Sequence, residues 1–129
     1  MEGDILMKIQ ESAENYLETI LMLGKAKGNV RSIDIATALS FSKPSVSVAM
    51  KNLRENGYIL MDKDGFIALT EKGHEIAETI YERHTLLSSF LMYLGVSKET
   101  ATQDACRIEH VISPESFEAL KQHVYSHKE

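Results

Sequence analysis

The sequence predicts a mainly α-helical protein with one small β-hairpin, and three observations carry that reading. Apolar residues recur every three to four positions through most of the 129 residues. Two short apolar runs, Tyr58-Ile59-Leu60-Met61 and Phe66-Ile67-Ala68-Leu69, flank Asp62-Lys63-Asp64-Gly65, the pattern of a hairpin closed by an Asp-Gly turn. Glycines, serines and a Ser-Pro step fall between the periodic segments, where helices begin and end.

Taken in order, Ser12 to Lys27 reads as a first helix with Tyr16, Leu17, Ile20, Leu21 and Leu23 on an apolar stripe, ended by Gly28-Asn29. Ser32 is the expected N-cap of a helix over Ile33 to Leu39, with Ile33, Ala36 and Leu39 facing a core. After the turn Ser40-Phe41-Ser42, Ser42 caps a helix to about Asn56. Pro44 fits its first turn, Val46, Met50 and Leu53 its buried face, and Gly57 its C-terminus. The hairpin follows. Thr70 then caps a long helix from Glu71 to about Leu94, striped by Ile76, Ile80, His84, Leu87, Leu91 and Leu94. Gly95 stops it, Ser97 starts a helix reaching about Ile112, and Ser113-Pro114 separates that helix from a last one over Glu115 to His127, built around Phe117, Leu120 and Val124.

Two short helices joined by a tight turn and followed by a hairpin make a winged helix-turn-helix. Residues 1–70 are therefore expected to form that domain, and 71–129 a helical domain. Hydrophobic content of 43% and charged content of 26% are those of an ordinary globular protein. No apolar run approaches the ~20 residues that cross a bilayer, and the acidic start Met1-Glu2-Gly3-Asp4 is unlike a signal peptide. The single cysteine excludes an internal disulfide, so a reducing cytoplasm is the expected location.

The net charge of −5 is unlike that of a nucleic-acid binder, but its distribution is uneven. Between Val30 and Gly65 the cations Arg31, Lys43, Lys51, Arg54 and Lys63 outnumber Asp34, Glu55, Asp62 and Asp64. In a helix-turn-helix the first turns of the second helix meet base edges in the major groove. Here those turns carry Ser42, Lys43, Pro44, Ser45, Ser47 and Val48. Small hydroxyls, a proline and a valine suit close approach and contact with thymine methyls. Lys43, Lys51, Arg54 and Lys63 are then phosphate contacts, which set position and salt dependence, and Arg31 is a further expected DNA-binding residue. The competing reading is a solvated polar helix face.

Near the C-terminal end of the Ser97–Ile112 segment stands Cys106-Arg107-Ile108-Glu109-His110. A thiol, a carboxylate and an imidazole at i, i+3 and i+4 share one helical face, and all three bind transition metals. His84 interrupts the apolar stripe of the long helix, where an imidazole needs a partner. Asn15 and Glu18 lie at i, i+3 on the first helix. Each has a plain structural alternative: a lone cysteine packs as a small hydrophobe, a histidine on an apolar face is hydrogen-bonded, and Glu109 pairs with Arg107 or Lys98 at the surface.

The run Cys106-Arg107-Ile108-Glu109-His110-Val111, with Arg83-His84 on the long helix, Tyr16-Leu17 on the first and Leu69-Thr70-x-x-Gly73 between them, resembles the diphtheria toxin repressor (DtxR/MntR) family. The resemblance covers nearly the whole chain. It implies a cytoplasmic homodimer that binds double-stranded operator DNA when loaded with Fe(II) or Mn(II) and represses metal-homeostasis genes. Residue by residue it implies Cys106, Glu109 and His110 as the main metal helix, His84 as the long-helix ligand and Glu18 as the first-helix carboxylate. Asn15 stands where the manganese branch has Asp and the iron branch has Met, and brings only an uncharged amide oxygen. Ser88 and Thr102 stand where the iron branch has Glu and His ligands of an ancillary site, so that site is expected to be altered or absent. An SH3-like third domain is not expected, as in the manganese branch.

The sulfur of Cys106 tips the expected metal toward Fe(II) over the oxygen-loving Mn(II), with Co(II), Ni(II) or Zn(II) able to bind in vitro. Two other readings stay open on the residues alone. A winged-helix regulator sensing a small organic ligand would leave Cys106 metal-free. A non-haem metal enzyme would use the Cys/Glu/His cluster, but no nucleophile, general base or glycine-rich cofactor loop accompanies it.

Overall fold

The computed structural model describes the backbone of residues 2–126 and the side chains of residues 11–126. Six helices and one hairpin follow in the order α1 (Glu2–Lys27), α2 (Ser32–Leu39), α3 (Lys43–Glu55), β1 (Ile59–Met61), β2 (Ile67–Leu69), α4 (Glu71–Tyr93), α5 (Lys98–Ile108) and α6 (Pro114–Ser126). The chain divides into two compact units, Met1–Glu78 and Thr79–Glu129.

In the first unit, α1 begins at Glu2, ahead of the Ser12 start expected. Between Asp4 and Glu11 neither glycine nor proline interrupts the chain, so nothing in the sequence holds the helix to a start at Ser12. Its apolar stripe holds, with Leu17, Ile20 and Leu21 buried. The start of α2 also moves. Arg31 is the N-cap and Ser32 the first helical residue, because the Asp34 carboxylate accepts the Arg31 backbone N–H at 2.9 Å. That register leaves Ile33 46% exposed, against the expectation that it faces the core, and Ile35 at 0% takes the buried position.

Helix α3 follows its expected chemistry closely. The Ser42 hydroxyl accepts the Ser45 N–H at 3.3 Å, Pro44 lies in the first turn, and Val46, Met50 and Leu53 are buried. The helix ends in a Schellman arrangement. The Tyr58 N–H donates to the Leu53 carbonyl and the Gly57 N–H to that of Arg54, with Gly57 at φ +80°. Strands β1 and β2 pair antiparallel with Ile59 opposite Leu69 and Met61 opposite Ile67. Their turn is organised by the Asp62 carboxylate, which accepts the N–H groups of Asp64 and Phe66, each at 2.9 Å.

The entry to α4 explains the Leu69-Thr70-x-x-Gly73 spacing. The Thr70 hydroxyl donates to the Gly57 carbonyl at 2.7 Å and accepts the Gly73 N–H at 3.1 Å, so one side chain ties the end of α3 to the start of α4. A Cβ on Gly73 would stand 2.0 Å from the Tyr58 carbonyl oxygen, so only glycine admits this approach of helix to hairpin.

In the second unit, α4 is ended by Gly95 at φ +102°, and the Val96 N–H donates to the Leu91 carbonyl. Leu94 lies past the helix and is 61% exposed, so the apolar stripe stops one turn earlier than expected. Ser97 caps α5 through the Thr100 N–H, and Ser113 caps α6 through that of Ser116. Ile80, Leu86, Leu87, Ala101, Ala105 and Phe117 are buried. Helix α5 ends at Ile108, short of the expected Ile112. The N–H groups of both Val111 and Ile112 turn back onto the Ile108 carbonyl, closing the chain into a tight turn before Pro114.

Candidate metal centre and nucleic-acid interface

The second unit gathers three of the residues singled out in the sequence. His84 comes from α4, Cys106 from the last turn of α5, and Glu109 from the residue capping that helix. One donor atom of each lies within 4.8 Å of the other two. His84 Nδ1 is 2.7 Å from Glu109 Oε2, and His110 Nε2 is 3.4 Å from Glu109 Oε1. Because Glu109 stays in a right-handed conformation as the cap, the i, i+3 relation of Cys106 and Glu109 survives the early end of α5.

Burial distinguishes the three. Glu109 is 0% exposed and so does not pair at the surface with Arg107 or Lys98. Cys106 is exposed, which sets aside the reading of it as a small core hydrophobe. The Glu109 Oε1 atom is buried and has no hydrogen bond among the described residues; the His110 contact lacks hydrogen-bond geometry. A buried carboxylate oxygen without a donor is costly unless a cation or proton joins it. Thiolate, imidazole and carboxylate together fit a first-row divalent ion.

Of the remaining expected ligands, Glu18 and Asn15 lie on α1 in the first unit, Glu18 at 4% exposure. At the expected ancillary positions, Ser88 is buried on α4 and its hydroxyl has no hydrogen bond among the described residues, while Thr102 is exposed on α5.

Sequence reasoning passed over Arg83. Its Nη1 donates to the carbonyls of Glu109 at 3.2 Å and Ile112 at 3.1 Å, and its guanidinium lies 5.5 Å from the centre of the Phe117 ring. The available signal was its position beside His84 in the family-like run. Phe66 was also missed. The Arg31 guanidinium stacks 4.3 Å from its ring centre, which braces an expected DNA-binding residue against the wing.

On the first unit, the expected DNA-reading residues form the outer face of α3. Ser42, Lys43, Pro44, Ser45, Ser47, Val48, Lys51 and Arg54 are all exposed, whereas Val46, Met50 and Leu53 point inward. Val48 is 61% exposed, an apolar side chain held in solvent on a polar face. Lys63 sits at the exposed tip of the wing, and Arg54 Nη1 reaches the Met61 sulfur at 3.8 Å.

Comparison with known proteins bears on both units. Residues 8–67 match the family described as iron dependent repressor, N-terminal DNA binding domain. Residues 70–128 match that described as iron dependent repressor, metal binding and dimerisation domain. The chain is 35% identical over 118 residues to the transcriptional regulator MntR of Escherichia coli O6:H1, covering 92% of this chain and 76% of the relative. It is 39% identical over 102 residues to the HTH-type transcriptional regulator MntR of Geobacillus kaustophilus, covering 79% and 72%. Among solved structures, the manganese regulator SloR superposes with a TM-score of 0.78 at 31% identity, over 88% of this chain and 53% of that one. The metal-dependent transcriptional regulator MtsR does so with a TM-score of 0.81 at 27% identity, with the same coverage. The chain thus spans about half the length of these two solved structures.

Proposed function

The chain belongs to the iron-dependent repressor family, a family of transcriptional regulators and not of enzymes, and on that premise we propose that it represses transcription by binding operator DNA as a metal-loaded homodimer. The observation that carries the metal half is the His84–Cys106–Glu109 cluster, whose carboxylate is buried and keeps one oxygen without a hydrogen-bond donor among the described residues. Residues 1–70 read DNA, and residues 71–129 hold the metal and dimerise. The cytoplasm is the location that suits this role. No helix among the described residues is long and apolar enough to cross a membrane.

Fe(II) or Mn(II) is the proposed effector. Cys106 favours Fe(II), because a thiolate is a soft donor and Mn(II) prefers oxygen, while the similar protein SloR is a manganese regulator. His84, Cys106, Glu109 and His110 are the proposed ligands of the second unit. Glu18 and the uncharged Asn15 join them on the family pattern alone.

A bound divalent cation supplies the positive charge that the buried Glu109 oxygen lacks. His84 and Cys106 would hold such a cation through a neutral imidazole and a thiolate, so protons would compete with it and loading would weaken in acid. DNA affinity rises only so far as metal binds the DNA-competent arrangement more tightly than the others. In a dimer of this type the two α3 helices enter successive major grooves, roughly 34 Å apart.

Selection from random duplex DNA with Fe(II), with Mn(II) and with EDTA tests the reading. The expected result is enrichment of two half-sites about one helical turn apart, with metal only. Equal enrichment in EDTA would remove the metal switch and leave the DNA reading. No enrichment in any condition would remove both.

A further inference from the structure

Arg83 grips the backbone of a residue whose side chain belongs to the metal cluster. Beyond Ile108 the helical ladder of α5 is finished, and the carbonyls of Glu109 and Ile112 fall outside it. Such carbonyls need donors, and a cation at a helix C-terminus also meets the negative end of the helix dipole. Nη1 of Arg83 serves both, at 3.2 and 3.1 Å, while Phe117 of α6 lies against the guanidinium. The contact bridges 26 residues to Glu109 and 29 to Ile112, so it joins α4 to the turn and does not merely decorate it.

Arg83 and His84 are neighbours on α4 and leave that helix about 100° apart. They reach the same residue from two sides. His84 meets the Glu109 carboxylate at 2.7 Å, and Arg83 meets the Glu109 carbonyl. Glu109 is therefore held at its side chain and at its main chain, and His110 follows it in the same turn. Metal ligands need to be held within about 0.5 Å of their working positions, and the groups behind them do that holding.

We propose that Arg83 is a positioning residue for the metal centre, fixing the 109–112 turn so that Glu109 and His110 are presented together with His84 and Cys106. The inference rests on the metal reading of this cluster. A purely structural cap would alter stability and leave metal affinity and coordination unchanged. A positioning residue changes both. Lysine at this place keeps the charge but offers a compact ammonium on a flexible stem, without the flat guanidinium that lies against Phe117 while Nη1 holds both carbonyls.

The test uses Co(II), whose visible bands report coordination geometry and whose sulfur charge-transfer absorption reports Cys106. Arg83→Met is expected to bind Co(II) about 10–100-fold more weakly than the parent, the loss typical of removing an outer partner of a ligand. Its visible bands should change while the sulfur band persists at saturation. In the metal-free protein, amide exchange at Val111 and Ile112 should quicken. Arg83→Lys, the milder change, should fall between parent and Arg83→Met in affinity, and it carries the test where Arg83→Met does not fold. Parental affinity and bands in the folded variants would overturn the positioning role, even with faster exchange, which would leave Arg83 a structural cap. A parent protein that binds no Co(II) would instead overturn the metal reading, and this inference with it.

Discussion

Oε2 of Glu109 meets Nδ1 of His84 at 2.7 Å across 25 residues of sequence, with the glutamate wholly removed from solvent. Such a pair is a poor source of stability, because desolvating a carboxylate offsets much of what the contact returns. On the proposed metal reading, its value lies in the cation it would hold. Glu109→Gln should leave the metal-free protein as stable as the parent or more so, by thermal melting, while lowering Co(II) and Fe(II) affinity. His84→Ala should cost the metal-free fold about 3 kcal/mol, since it strands the buried carboxylate. Equal losses of stability in both variants would show that the pair is structural.

Cys106 is the exposed and soft member of the cluster. Cys106→Asp replaces sulfur by oxygen and should move metal preference from Fe(II) or Co(II) toward Mn(II). Competition between Mn(II) and Co(II) in the parent and the variant measures this directly. An unchanged ratio would mean that the sulfur does not bind the ion.

The outer face of α3 separates two kinds of contact. Lys51→Ala should weaken DNA binding alike for all sequences and lower the slope of log affinity against log salt by about 1. Val48→Ser removes an apolar side chain that is 61% exposed and should change base preference, with little change in salt slope. Binding assays on the selected duplex and on scrambled DNA, across a salt series, resolve the two.

Gly73 sits where a Cβ would meet the Tyr58 carbonyl oxygen at 2.0 Å. That oxygen is backbone and accepts the Thr70 N–H, so it cannot swing aside without breaking the link between hairpin and helix. Gly73→Ala should therefore destabilise the protein by about 1–3 kcal/mol, although alanine is the better helix former. A rise in melting temperature would contradict the packing argument.

Asp34 is held below its usual 3.8 by hydrogen bonding to Lys27 at 2.6 Å, then by the Arg31 N–H. A lowered carboxyl stabilises the fold fully above its unfolded value and loses that contribution as pH falls through the folded value. Asp34→Asn should accordingly flatten the acid limb of the stability curve below about pH 4 and cost little more than a helix cap near neutrality, about 0.5–1 kcal/mol. Urea titrations at pH 7 and pH 3 test the difference.

How much of this was legible in the chain itself follows from the range of the forces involved. Ser42, Gly57, Gly65, Thr70, Gly95 and Ser97 announce helix ends and a turn through chemistry that acts over three or four residues, so the winged helix and the helices after it could be read from the sequence. The Cys106-x-x-Glu109-His110 spacing likewise pointed to Cys106 and Glu109 as neighbours, and the structure holds donor atoms of both within 4.8 Å of each other and of His84. The start of α2 was misjudged because the Asp34 cap outcompeted Ser32, and the end of α5 because the Ile108 carbonyl drew back two N–H groups at once. The burial of Glu109, the exposure of Cys106 and the reach of Arg83 were beyond local reading. They depend on how α4, α5 and α6 pack, and packing joins residues that lie 25 to 29 positions apart. Local propensity supplied the donors; only the tertiary fold withdrew one carboxylate from water and set a histidine against it and an arginine against the main-chain carbonyl of the same residue.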